Sequence, residues 1–370
     1  LVVRGRIPSY LGSSFAFIGP VIAAKNHGGV PAALGGIAAA AIVYLLVGLA
    51  VKTKLGTRVI AALMPPAVTA AVIAVIGIGL APVGWDMASK DWGLALATFA
   101  IAVAVAVATR GMVKLIPVLI AVVAGYLISA IVGKVDFSGV ASAPWFGLPA
   151  FVTPTFSVEA ISLIVPVVVM LVAENLGHVK AISAYMDRDL TPEVGSAFMG
   201  DAVATFVSAL GGGTGQTTYA ENIGVMSITK VFAIRPLQVA AATAILLGLV
   251  PKFGALVSSI PVPVMGGISF MLFGLIAGTS SKVISTARED WGSLDNFGVF
   301  GISVALCTAM VARGTQIQLG PVALDAIGAS TFAALLLNLA IVVLKKLSPV
   351  AEQPVEEAVA DTAPAAATGS

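Results

Sequence analysis

The chain is a succession of apolar runs, and that feature limits its folds more than any other. With blurred edges the runs read Pro8–Ala24, Ala32–Val51, Val59–Leu80, Trp92–Thr109, Leu115–Gly133, Ala160–Ile182, Val194–Leu210, Tyr219–Ala233, Leu237–Val250, Val262–Gly278, Phe297–Ala312 and Ile327–Leu344. A helix that crosses a bilayer needs about 20 mostly apolar residues. Hydrocarbon offers backbone groups no water, so spanning segments must be helices or closed barrels. Twelve such runs predict an all-α polytopic membrane protein. Composition agrees: hydrophobic residues make up 58% and charged residues 10% of 370 positions, against roughly 25% charged in soluble proteins. A water-facing surface cannot be built from so few charges.

Several function classes fall away. A net charge of +2 supplies no basic face for nucleic acid. The single cysteine, Cys307, excludes a disulfide framework and a cysteine-built metal cluster. Two histidines, His27 and His178, are too few for a histidine metal site. The spans hold no nucleophile–base pair, so neither an enzyme nor a cofactor is expected.

Charge placement orients the chain. If each run crosses once, 15 of the 20 Lys and Arg fall on one side, and Lys25, Lys90, Lys134, Lys252 and Arg313 on the other. The positive-inside rule makes the richer side cytoplasmic. Both the N-terminal edge and the tail then face the cytoplasm of a cell whose inner membrane holds the protein. Residues 348–370, rich in Ala, Pro and Glu, read as a disordered tail. The chain starts at Leu1 without a Met or a cleavable leader, and reads as part of a longer protein.

Two runs resemble each other. Pro66 and Gly77 are spaced as Pro263 and Gly274 are, yet the topology starts these runs on opposite sides. That is an inverted repeat, a transporter signature. Two other runs are interrupted by polar and small residues, at Pro8–Phe17 and at Gly211–Glu221, and read as two short broken helix or strand segments. Irregular backbone at membrane depth is tolerated only where protein or a cavity covers it. Paired breaks of this kind mark a substrate site near the midplane, with the helix starts that follow them offering free N–H groups.

Glu174 lies within a span and Glu221 opens the helix after the second break. A charged side chain at the bilayer centre costs about 2.5–3.5 kcal/mol on insertion scales, which makes function the default reading. Two carboxylates around one small dry cavity share a proton. The protonated one donates a hydrogen bond and the ionised one accepts, which matches a ligand edge with adjacent N–H and C=O groups, such as that of uracil. His178 stands four residues after Glu174, on the same helix face. It serves either as a proton carrier or as an interhelical hydrogen-bonding residue. Asp201 is either a second buried acid or a residue toward the cytoplasmic third of its helix. Phe15 and Tyr219 lie in the breaks, where an aromatic face can stack on a planar ring. Asn222 reads as a tie between helices, and Lys180 and Lys230 as topology anchors.

The run Thr217-Thr218-Tyr219-Ala220-Glu221-Asn222-Ile223-Gly224-Val225-Met226 resembles the signature of the nucleobase–ascorbate transporters. Ala173-Glu174-Asn175-Leu176-Gly177-His178, Pro8 to Phe17, and the Pro-Val-Pro-Val-Met-Gly-Gly run from Pro261 are similar to further motifs of that family. The likeness extends up to the tail and is strongest to the uracil and pyrimidine branch, because purine-type members usually carry Gln where Glu221 stands. The resemblance implies fourteen helices in two inverted sevens, the first two of them missing before Leu1 together with one wall of the site. It implies a core from 1–51 and 158–250 and a gate from 57–140 and 255–346. By motif, Glu174 and Glu221 hold the pyrimidine, Ala220 and Phe15 contact it through backbone, Phe15 and Tyr219 flank the ring, and Glu174, His178 and Glu221 couple its movement to protons. A homodimer in the lipid bilayer is implied as well. Ala220 departs from a common Gly, and Phe273 from a Tyr. The expected activity is proton-coupled import of uracil or a related pyrimidine by alternating access. The alternatives are a xanthine or uric acid permease and an anion transporter of the same fold.

Overall fold

A computed structural model describes residues 2–3, 5–287, 290–319 and 322–347. The expected tail, 348–370, lies outside the described residues. Strand β1 (Leu11–Ser13) and one 3-10 turn (Phe15–Phe17) lead into the long helix α1 (Ile18–Val51). This helix holds the end of the first apolar run and all of the second. Gly29 separates them with φ 73° and ψ −173°, and Pro31 follows. Left-handed φ is open to glycine without a Cβ clash, and proline removes a helix donor, so the bend falls there.

The chain continues through α2 (Lys54–Leu63), α3 (Pro66–Ala88), α4 (Trp92–Ala108), α5 (Pro117–Ile131) and α6 (Ser138–Ser142). Next come α7 (Val158–Ile164), α8 (Val167–Met186), α9 (Val194–Leu210), strand β2 (Gln216–Thr218), α10 (Ala220–Thr229), α11 (Ile234–Gly248) and α12 (Pro251–Ser258). Helices α13 (Val262–Thr286) and α14 (Leu294–Arg313), hairpin strands β3 (Ile317–Leu319) and β4 (Val322–Leu324), and α15 (Ala326–Leu347) complete it. Among the described residues, six helical stretches are long and apolar enough to cross a membrane, or seven if α11 and α12, bent by 89° at their junction, count as one.

Two boundaries differ from the sequence reading. The run expected over Val59–Leu80 is divided between α2 and α3. The residue before a proline is pushed out of the helical region, and Met64 and Pro65 precede Pro66, which occupies the first turn of α3. Helix α3 then continues to Ala88, past an internal Pro82. The run ending near Val250 turns sharply instead of stopping, because Pro251 starts the new helix α12.

Helices α3 and α13 pack against each other along much of their length, and α4, α14 and α15 lie against them. Contact is backbone to backbone. A Cβ on Gly77 would sit 2.5 Å from the Phe273 carbonyl oxygen, and one on Gly266 would sit 2.4 Å from the Ala88 nitrogen. Small residues allow this approach where lipid supplies no hydrophobic drive. On the other side α1 packs on α9 and α7, around the fully buried Tyr44, Phe198, Ile37 and Ile164. Helix α8 touches both assemblies, reaching α1, α3, α9, α10 and α15.

Candidate functional site at the paired breaks

The two interruptions found in the sequence meet. Strands β1 and β2 pair antiparallel, with Leu11 opposite Thr218, Gly12 opposite Thr217 and Ser13 opposite Gln216. Beyond the strands, Ser14 N–H donates to the Gly215 carbonyl at 2.9 Å and Tyr219 N–H to the Tyr10 carbonyl at 3.0 Å. Each break thus satisfies backbone groups of the other, which buried peptide groups require. A Cβ on Gly12 would lie 2.2 Å from the Tyr219 ring, so a larger residue there would force that ring to move.

Helix α10 opens at Ala220 directly after β2, and its N-cap residue Tyr219 makes no side-chain cap hydrogen bond. Backbone N–H groups at such a start, with the partial positive charge of the helix end, favour an electron-rich ligand atom. Ala220 and Glu221 form the first turn, and their side chains lie outside the described residues. Phe15 and Tyr219 line one cavity of about 320 Å³, with Ser13, Ser14, Ile18 and Thr214 also in its wall. Phe15 also meets Phe273 of α13 edge-on, with ring centroids 5.6 Å apart at 89°.

Helix α8 brings its polar residues to both breaks. Ser14 Oγ accepts from the Ala16 N–H at 3.2 Å and donates to Glu174 Oε2 at 3.3 Å. His178 hydrogen-bonds the backbone of Thr218, and its Nδ1 is buried with no hydrogen-bond partner among the described residues. Glu174 therefore engages the first break and His178 the second. A ligand between the breaks would lie beside both.

Asp201 is buried, 2% exposed, which places it as a buried acid behind β2. Asn175 Nδ2 donates to Asp201 Oδ2 at 2.5 Å and to the Tyr44 hydroxyl at 3.0 Å. The Tyr44 hydroxyl donates in turn to the Leu171 carbonyl at 3.5 Å, and Asp201 also lies against Thr218 of β2. Tyr44, Asn175 and Ser14 were not expected as partners here. Tyr44 sits in an ordinary apolar run, and no spacing rule links it to residue 175. Ser14 was visible only as one of several small polar residues in a break.

This chain of bonds makes a stability prediction. An Asn175→Leu substitution removes the donor that faces the buried Asp201 carboxyl, and should cost about 1–3 kcal/mol, as when a buried acceptor is left unsatisfied. Tyr44→Phe removes a neutral hydroxyl and should cost about 1 kcal/mol. Thermal unfolding of the purified protein in detergent checks the order. Equal effects would mean that Asp201 does not depend on Asn175.

The family model described as "Permease family" (Xan_ur_permease) matches residues 1–341. A protein of Escherichia coli (strain K12) named as a pyrimidine permease, RutG, is 45% identical over 353 residues, covering 91% of this chain and 79% of its own. The uracil permease of Bacillus caldolyticus is 41% identical over 346 residues, covering 88% and 80%. The uracil permease of Escherichia coli (strain K12) is 35% identical over 361 residues, covering 94% and 83%. Among solved structures, the transmembrane domain of the cyanobacterial bicarbonate transporter BicA superimposes with a TM-score of 0.59 at 18% identity, covering 90% of this chain and 87% of its own. SLC26A9 gives 0.60 at 11% identity, covering 92% and 58%. At such identities the likeness is one of fold, the inverted-repeat transporter fold.

Proposed function

Because the chain belongs to this permease family, that of the nucleobase–ascorbate transporters, we propose that it takes up uracil or a closely related pyrimidine with protons, by alternating access. The observation that carries the reading is the pairing of β1 with β2, which sets Glu174, through Ser14, beside the wall of a cavity flanked by Phe15 and Tyr219. The relatives are named as transporters of this substrate class, not as enzymes.

In this reading the pyrimidine ring lies between Phe15 and Tyr219. Its adjacent N–H and C=O groups face Glu174 and Glu221, which share one proton, so that one carboxyl donates while the other accepts. Ala220 and the start of α10 present backbone N–H groups to a ring carbonyl. His178, on the same face of α8 as Glu174, passes the proton when the pair changes state. The core, 1–51 and 158–250, carries the substrate past a gate of 57–140 and 255–346. Lys and Arg placement puts the tail-bearing side in the cytoplasm of a cell whose inner membrane holds the protein, as a dimer joined through the gates. The glutamates disfavour an anionic substrate, so the shared fold with a bicarbonate transporter is not extended to its cargo.

The test is uptake of labelled uracil by cells that lack their own permease and produce the protein at full length. Saturable uptake that collapses with a protonophore, and is lost in Glu221→Gln, is the expected result. Uptake that ignores the protonophore overturns the coupling. Uptake of xanthine or urate without uracil overturns the substrate.

A further inference from the structure

Asp325 is an ionisable residue of the membrane region that uptake, as read above, leaves without a task. It stands between β4 and α15. Its Oδ1 accepts the Gly328 N–H at 2.7 Å and so closes the first turn of α15. Its Oδ2 is turned toward α1, where a Cβ built on Gly19 would lie 2.5 Å away. Among the described residues, the next nearest atom to that position is Asp325 Cγ at 3.7 Å. The contact joins the two helix assemblies, since α1 packs on α7 and α9 whereas α15 packs on α14 and α3. Beside it lies a cavity of only about 20 Å³, walled by Pro20 and Ala23 of α1, Pro166 and Met170, and Gln316 before the hairpin. That is close to the room one water needs, so the neighbourhood has little slack.

Besides the contacts of α8 with α3 and α15, two side-chain pairs join the same assemblies. Phe15 meets Phe273 edge-on. Farther along, Lys282 Nζ of α13 donates to the Tyr185 hydroxyl of α8. Gly19 precedes Lys25, and Asp325 follows Arg313, whereas Tyr185 follows Lys180. The Gly19–Asp325 contact therefore belongs to the sparsely charged side of the membrane, and the Lys282–Tyr185 contact to the opposite side.

We propose that Gly19 and Asp325 form the closing contact of the seam on the sparsely charged side, which shuts only because residue 19 has no side chain. This inference rests on the alternating-access reading above. Nothing in the local backbone otherwise requires glycine at 19, because it sits in an α-helix with no positive φ and alanine is the better helix former. A methyl group there disfavours only the closed seam. A ligand or a substitution shifts such an equilibrium by its difference between the two states, so closure is lost while binding to the open form remains.

Three full-length proteins test it: Gly19→Ala, Asp325→Ser, and the two combined. A serine hydroxyl keeps the cap on Gly328 and removes the oxygen that faces α1. Overpacking of this kind should lower uracil uptake about tenfold in Gly19→Ala. Binding of labelled uracil to the purified protein should stay within about twofold, as expected when the binding-competent state is not depleted. Asp325→Ser should transport, and adding it to Gly19→Ala should restore uptake.

A second measurement needs no substrate. A short cross-linker joins cysteines placed by Ala23→Cys and Gln316→Cys, two positions that line the small cavity from α1 and from the segment before the hairpin. Its yield should fall with Gly19→Ala and return when Asp325→Ser is added. Normal uptake in Gly19→Ala, or a loss that Asp325→Ser does not relieve, overturns the proposal. If the unsubstituted protein takes up no uracil, the function reading fails, and the cross-linking yield still decides whether this contact closes the seam.

Discussion

A Glu174→Gln protein reaches the membrane in normal amounts and takes up uracil at least about a hundredfold more slowly than the unsubstituted one. The substitution keeps the size and shape of the side chain. The amide oxygen still accepts from Ser14 Oγ, which holds Glu174 now at 3.3 Å. Folding therefore loses little. What disappears is the ability to hold or release a proton, and with it the donor–acceptor pattern that a pyrimidine edge would match. A missing charged hydrogen-bond partner is worth about 1.5–3 kcal/mol, and lost proton coupling adds to it in a transport assay. Ser14→Ala separates positioning from chemistry. It leaves the carboxyl in place but removes both its neutral donor and the acceptor of the Ala16 N–H, so its loss should be about fivefold to tenfold. Initial uptake rates normalised to membrane protein check both. A Glu174→Gln variant that transports as well as Ser14→Ala would remove Glu174 from the substrate site.

The second large effect concerns folding. Gly266→Val should prevent accumulation of the protein in the membrane, or lower its unfolding temperature severely. A Cβ at residue 266 would lie 2.4 Å from the Ala88 nitrogen and 2.7 Å from its Cα. These are backbone atoms of α3, which cannot turn aside as a side chain can. Overpacking costs typically 1–3 kcal/mol and occasionally more, and a clash between two helix backbones belongs at the upper end. Gly274 is the control. It lies on the same helix, α13, yet a Cβ there would meet nothing within 4 Å. Gly274→Ala should therefore be neutral or stabilise by up to about 1 kcal/mol, the propensity difference between the residues. Expression level and detergent unfolding midpoint read both. Equal losses would mean that the α3–α13 crossing does not set the stability of the protein.

That contrast also shows where the sequence is a limited guide. Gly77 and Gly274 occupy matching places in the two Pro-led runs. Gly77 is pressed against α13, whereas Gly274 faces open space and Gly266 makes the reciprocal approach to α3. Spacing identifies related helices but not which face each turns to its neighbour. Apolar length marked where helices lie, but of the twelve runs only six helical stretches, or seven with the bent α11–α12 pair, are long and apolar enough to cross a membrane among the described residues. The breaks at Pro8–Phe17 and Gly211–Glu221 were legible because polar and small residues are costly in lipid. Their pairing as β1 and β2 was not legible, since three residues on each side carry no register pattern. Tyr44, Asn175 and Asp201 come from three separate helices, and nothing local in the chain announces their meeting. The 89° turn between α11 and α12 was not legible because the apolar run ends at Val250, and the eight residues of α12 are too few to show a helical period of their own.

The β1–β2 pairing has a consequence for how such a protein is made. Leu11 and Thr218 are partners roughly 200 residues apart, and chains are synthesised at about 5–20 residues per second. The first break therefore emerges about 10–40 s before the strand that will satisfy it. During that interval its peptide groups need water or the insertion machinery as a temporary partner, because lipid would leave them unsatisfied. Slowing or stalling synthesis between the two strands should leave the early half exposed to quality-control proteases, long after its own helices have entered the bilayer.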